Sequence, residues 1–278
     1  MLPVGLRSGS MDRNPQAEQM ASDAMVRTLA AQFMAIWPQE AALLDRYGLV
    51  GGARVLDVGC GTGTFTIGVA ERYPQVSVVG LDVHAPHLER ARHLAGDLDR
   101  VRFLQGDAYG LPFSDESFEL TASRHVLQCL PNPVLALKEL HRVTRSGGFA
   151  HVLAEDYGLM HFHPTRLNPD HFWQNGPMTF AAAIDNDLRV GRKTGALLRQ
   201  AGFAEIGVDY LTIDTFRVPR EVFAEIWETW AEGYTDPVAH HTDLDLEVVR
   251  DHWADMVACI RNPDSYAVWH VPIWWARK

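Results

Sequence analysis

The stretch Val55-Leu56-Asp57-Val58-Gly59-Cys60-Gly61-Thr62-Gly63 constrains this chain more than any other. A short run suited to a buried strand enters a Gly-x-Gly-x-Gly turn, and Thr64 to Tyr73 continues in a helical pattern that Pro74 closes. Glycines at such a turn adopt backbone conformations that a Cβ forbids, and they let the backbone approach a ligand closely. The N–H groups that open the helix favour a carboxylate or phosphate.

The same alternation continues on either side. Arg54–Val58, Val76–Leu81, Val101–Gln105, Phe118–Ser123 and Phe149–Ala154 have the pattern of strands. Thr64–Tyr73, Pro86–Ala95 and Asn132–Val143 have that of helices. Strand–helix alternation of these lengths predicts an α/β fold with a doubly wound, mostly parallel sheet, and right-handed crossovers put the functional crevice at the carboxyl ends of its strands. Ahead of this core, 1–15 reads as a flexible N-terminus in which Met11 is a second candidate start. Residues 16–47 read as a helical lid with Met25, Leu29, Phe33 and Ile36 on one face and a break or kink at Pro38. The core itself is assigned to 48–155. Residues 156–190 show no clear period and read as an insertion on the substrate side. The remainder, 191–278, reads as the end of the sheet, with strands near Ile206–Ile213 and Ala267–Trp275 and a helical cap over about 217–262.

Three successive strands end in acids: Asp57, Asp82 and Asp107. A carboxylate at the end of the second strand of such a sheet can hold both ribose hydroxyls. The glycine spacing is not the Gly-x-Gly-x-x-Gly of dinucleotide binders, which disfavours a nicotinamide enzyme. With Gly106-Asp107-Ala108, and with Leu137 to Val143 followed by Arg145-Ser146-Gly147-Gly148, the chain resembles class I S-adenosylmethionine-dependent methyltransferases. It is closest in character to the small-molecule branch of methyltransferase type 11 and ubiquinone-biosynthesis-like enzymes. The specific motifs span Gly48 to about Leu153.

The resemblance implies a seven-stranded Rossmann-like sheet with an antiparallel last strand, helical lid and cap insertions, and S-adenosyl-L-methionine as cofactor with S-adenosyl-L-homocysteine as product. Gly59, Cys60 and Gly61 would line the methionine moiety and Asp57 would support its amino group. Asp82, with Val83 beside it, would bind the ribose. Asp107 and Ala108 would face the adenine, and the backbone of Arg124 the amino-acid part. The helix of 16–47 would close over the cofactor.

Composition narrows the acceptor. Lys and Arg total 25 against 35 Asp and Glu, a net charge of −10, which argues against a general nucleic-acid or anionic-membrane binder. The Ser123-Arg124-His125-Val126 segment lacks the Asn/Asp-Pro-Pro-aromatic signature of enzymes that methylate nucleic-acid amines. Both features point to a small molecule. The tryptophans, all but Trp37 beyond Gly148, suit a flat or apolar acceptor and also suit cap packing. His125 and His163 are the candidate bases; for His125 a loop-positioning role stands beside the catalytic one. Either of Glu155 and Asp156 faces the substrate or caps its loop. His161 and His163, with Glu155, Asp156 or His171, have metal-ligand spacing, but surface or pocket-lining histidines are commoner and no metal is expected. The three separated cysteines, with no CxxC and no transmembrane-length apolar run, fit a reducing, cytoplasmic setting.

The expected function is methyl transfer to a small, aromatic or hydrophobic molecule of secondary metabolism, at O, N or C. The alternatives are a protein or RNA methyltransferase and a non-catalytic S-adenosylmethionine-binding regulator. Exposed aromatics on the cap would allow a homodimer.

Overall fold

The computed structural model describes residues 22–278; the stretch 1–15, expected to be flexible, lies outside the described residues. Helix α1 (Asp23–Leu43) is capped by the Ser22 side chain, which accepts from the Met25 N–H. It continues through Pro38 and is not broken there. The carbonyl that loses its partner belongs to Met34, which is 61% exposed, so water can take that bond.

The sheet is built from β1 (Arg54–Val58), β2 (Ser77–Asp82), β3 (Val101–Gln105), β4 (Phe118–Arg124), β5 (Thr144–Leu153) and β8 (Tyr266–Arg277), in the order β3-β2-β1-β4-β5-β8. Pairings among β1 to β5 are parallel, and β8 is antiparallel to its neighbours. Helices α2 (Thr64–Arg72), α3 (Ala85–Ala95) and α4 (Pro133–Val143) make the crossovers. Strand β7 (Glu205–Asp214) pairs along nearly all of β8, so it holds the edge opposite β5.

An eighth strand was not visible in the sequence. Met160–His163 (β6) pairs with the first residues of β8, beyond the point where β5 stops. It lies in the segment without clear period because only Met160 and Phe162 turn inward and four residues are too few to show alternation. The rest of that segment holds two short helices, α5 (Pro169–Asn175) and α6 (Pro177–Ala183), and α7 (Thr194–Ala201) leads into β7.

Helices α8 (Arg220–His241) and α9 (Leu246–Arg261) form the cap. Their apolar faces bury Trp227, Trp230 and Trp253 against Trp173 and Trp269, and Tyr157 stacks between Trp173 and Trp269 at 5.1 and 5.6 Å. Most of the tryptophans are therefore cap packing. Helix α1 lies along α8 through a buried Thr28–Thr229 hydroxyl bond of 2.7 Å, and the Gln39 amide bonds both ways with the backbone of Thr212 on β7. One long helix thus bridges the cap and the sheet edge, over the carboxyl ends of the strands.

Candidate active site

The turn after β1 follows from its glycines. Gly59 and Gly61 have φ of +76° and +52°, and a Cβ on Gly59 would stand 2.2 Å from Val126 Cγ2. The N–H groups of Gly59 and Cys60 both donate to the Leu81 carbonyl, tying the turn to the end of β2. The Gly61 N–H donates to Asp82 Oδ2 and the His84 N–H to Asp82 Oδ1, each at 2.8 Å. Asp82 therefore shapes the turn as well as facing the crevice. The Cys60 side chain points down into a cluster with Ile67, Leu88, Ala91 and Phe103, where burial pushes its thiol well up, so only its backbone belongs to the site.

Asp57 is wholly buried behind the turn and accepts from the Thr66 hydroxyl at 2.6 Å. Burial raises its carboxyl to about 6, against the pull of Thr66 and Arg124 and with a push from Asp82 and Glu40. Asp107 closes the far end of the crevice, accepting from the Tyr109 N–H at 2.9 Å, with Ala108 and Val83 beside it. Leu29 of α1 covers the middle.

Arg124 ends β4, and its side chain lines the same crevice. Its Nε donates to Glu40 Oε1 at 2.8 Å, and its guanidinium lies 4.8 Å over the Phe65 ring. Glu40 also accepts from His151 Nε2 at 2.9 Å, and His151 Nδ1 shares a hydrogen bond of 2.8 Å with the Tyr47 hydroxyl. Burial alone would raise the Glu40 carboxyl, but Arg124 and His151 together bring it down to about 2. Arg124 Nη2 is buried with no partner.

His125 follows at φ +58°, a left-handed conformation uncommon outside glycine. Its Nδ1 is hydrogen-bonded to Glu155 Oε1, which also accepts from the Tyr157 hydroxyl at 3.2 Å. His125 Nε2 and Glu155 Oε2 are buried without partners. His125 lines the crevice and also a second chamber walled by Met25, Leu29 and Gln32 of α1, by Gln128 and Cys129, and by Tyr157, Trp230 and Tyr234.

Residues 55–148 match the family model described as a methyltransferase domain. This stretch is a methyltransferase domain. The chain is 33% identical over 179 residues to malonyl-[acyl-carrier protein] O-methyltransferase of Halorhodospira halophila, a match covering 62% of this chain and 56% of that one. It is 36% identical over 100 residues to demethylmenaquinone methyltransferase of Staphylococcus carnosus, covering 36% and 42%. The chain thus spans less than three fifths of the length of the curated relatives it matches. Among solved structures, phosphoethanolamine N-methyltransferase 2 of Haemonchus contortus, in complex with S-adenosyl-L-methionine, shares the fold with a TM-score of 0.59 at 19% identity, covering 100% of this chain and 61% of that one.

The cofactor of this methyltransferase domain is S-adenosylmethionine, and the crevice suits it. A buried, unpartnered guanidinium N–H on Arg124 matches a carboxylate, and the buried Asp57 matches an ammonium. Asp82 and Asp107 can accept from hydroxyl and amino groups. The fold thereby gathers Asp57, Gly59, Cys60, Gly61, Asp82, Val83, Asp107, Ala108, Arg124 and His125 around one crevice. The Arg124 side chain does more than a backbone role requires.

His163 is not brought there. It sits exposed on β6 opposite Tyr266, outside the residues that line the methyltransferase crevice or the second chamber. His161 and His171 are likewise exposed. Asp156 turns away to pair with Arg192 at 2.6 and 2.7 Å, so of the two acids after β5 only Glu155 faces inward. Among the described residues no cluster of three metal-ligating groups exists. Sequence reasoning missed Glu40, Tyr157 and Tyr234, and nothing local marks them.

Proposed function

We propose that this protein moves the methyl group of S-adenosylmethionine to a small molecule whose acceptor atom reaches into the second chamber, with His125 as general base. The observation that carries this reading is His125 itself. It borders both cavities, its Nδ1 is held by Glu155, and its Nε2 is left without a hydrogen-bond partner. S-adenosylmethionine supplies the methyl as an electrophile already activated by the sulfonium charge. The chain then has to align the nucleophile, keep water out and accept a proton. Leu29 and the ring wall of Trp230 and Tyr234 exclude water, and Glu155 fixes the tautomer of His125 in which Nε2 accepts.

In this reading Arg124 Nη2 holds the cofactor carboxylate and Asp57 its ammonium. Asp82 takes the ribose hydroxyls, with Val83 beside it, and Asp107 the adenine amino group, with Ala108 beside it. Gly59, Cys60 and Gly61 lend backbone. The acceptor is a small, ring-bearing or hydrophobic molecule rather than a nucleic acid, consistent with the chain's negative charge. No helix among the described residues is long and apolar enough to cross a membrane, and the cysteines are free and buried; we place the chain in the cytoplasm.

Calorimetric titration with S-adenosylhomocysteine tests the cofactor assignment. We expect micromolar binding, weakened by about 1–3 kcal/mol in Asp82→Ala, the range for removing one partner of buried polar groups. Well-folded protein that does not bind would overturn the reading.

A further inference from the structure

The second chamber carries an inference about the chemical class of the acceptor, which rests on the reading of the crevice as a cofactor site. Three buried polar atoms among its walls have no partner, and all three can accept hydrogen bonds. Glu155 Oε2 and Gln128 Oε1 are buried and unpaired, and so is His125 Nε2, the acceptor nitrogen once Nδ1–H is given to Glu155. Unpaired buried acceptors are costly unless an occupant donates to them.

The charge is equally one-sided. Glu155 is 1% exposed, and neither Lys nor Arg lines the chamber. Arg124, the nearest guanidinium in sequence to His125, lines the cofactor side and is engaged by Glu40. An anionic acceptor would find a carboxylate and no countercharge. The remaining wall is aromatic: Trp230 stacks on Tyr234 with ring centroids 4.6 Å apart, and Tyr157 lies 5.2 Å from Trp230. Tyr157 is covered on its faces by Trp173 and Trp269, so Trp230 and Tyr234 are the rings that can offer a face beside the buried carboxylate, an arrangement that attracts a cation.

We infer that the acceptor is an amine, bound as its ammonium between Glu155 and the Trp230–Tyr234 pair and methylated on nitrogen. An ammonium brings several N–H donors and the missing positive charge at once; an alcohol or phenol brings one donor and no charge. His125 Nε2 takes one proton from the ammonium, leaving a nitrogen lone pair. That pair forms the bond to the methyl carbon while the carbon–sulfur pair returns to sulfur. The products are a methylated ammonium and a neutral thioether, with the proton on His125 passing to solvent.

Three phenyl probes of similar size and different headgroup test this: benzylamine, benzyl alcohol and benzoate. Each is titrated calorimetrically at neutral pH into the full chain, with and without S-adenosylhomocysteine. Benzylamine should bind at least tenfold more tightly than benzyl alcohol, and benzoate should bind weakest. Glu155→Gln should bring benzylamine to within about threefold of benzyl alcohol, and Glu155→Asp should keep the amine preference. Thermal melts show whether the variants fold; if they do not, the wild-type order decides alone. Benzoate or benzyl alcohol binding as tightly as benzylamine, or no probe binding at all, overturns the amine assignment. Failure of S-adenosylhomocysteine to bind overturns the cofactor reading instead, and the headgroup order measured without it still judges the chamber.

Discussion

The two halves of the crevice are built by opposite means. The proposed cofactor half is gathered from the successive ends of β1, β2 and β3, short stretches that each place an acid beside a sharp, often glycine-bearing turn. The acceptor half is made of side chains from α1, the end of β4, the segment after β5 and α8, which meet only because the cap closes on the sheet. Their buried acids differ accordingly. Glu40, the strut between α1 and the sheet, has Arg124 and His151 and stays ionised down to about 2. Asp57, at the cofactor, has a hydroxyl for a partner and burial lifts it to about 6. A paired acid is structural; an acid whose charge is uncompensated is waiting for a ligand.

The sharpest test of the contrast is His125, which belongs to both halves. His125→Asn keeps a residue that tolerates the left-handed backbone. It should lower kcat with benzylamine by about two to four orders of magnitude, the usual contribution of a general base. S-adenosylhomocysteine should still bind within about threefold of wild type. A variant that kept its kcat would show that His125 only positions the loop.

Glu40→Ala breaks the strut and leaves Arg124 buried without its carboxylate. Denaturant unfolding should show a loss of about 3–5 kcal/mol, the cost of stranding one member of a buried pair. An unchanged midpoint would mean that Arg124 finds another partner and that the halves are independent.

Asp57 makes cofactor affinity depend on pH. Below about 6 it is protonated in the free protein, and an incoming ammonium favours the ionised form, so binding must release a proton. Affinity for S-adenosylhomocysteine should therefore fall as pH drops through about 6, by up to about tenfold per unit, and Asp57→Asn should flatten the curve. For folding the signs of the two acids oppose each other. The raised Asp57 contributes stability that is present at low pH and lost as pH rises from 3.8 to about 6. The lowered Glu40 contributes stability that is present above 4.5 and lost as pH falls towards 2.

The smallest effect should come from the rim. Arg27 on α1 pairs with Glu225 at 3.5 Å and with Glu232, and all three side chains are largely exposed. Arg27→Ala should cost no more than about 1 kcal/mol by denaturant unfolding, and less in high salt. A larger loss would mean that the lid is held by charge rather than by its buried Thr28–Thr229 contact.

Legibility in the sequence followed the same division. β1 and β3 lie where the apolar runs predict, and the glycine turn with Asp82 and Asp107 comes together at one crevice. Of the break or kink that Pro38 signals, the break does not occur, since a proline does not say whether the freed carbonyl faces water. His163 looked as eligible as His125, because spacing does not say which end of an eight-stranded sheet a histidine occupies.

By itself the sequence determined the α/β order, the turn that only glycines can make and the acids at three strand ends. Each of these depends on residues adjacent along the chain. The tertiary structure alone decided that Arg124 is clamped by Glu40, 84 positions away, that His125 and not His163 meets the crevice, and that Glu155 shares a chamber with Trp230 and Tyr234. Those choices are made by packing between elements distant in the chain, where burial and the need to pair buried polar groups select partners that no local pattern records.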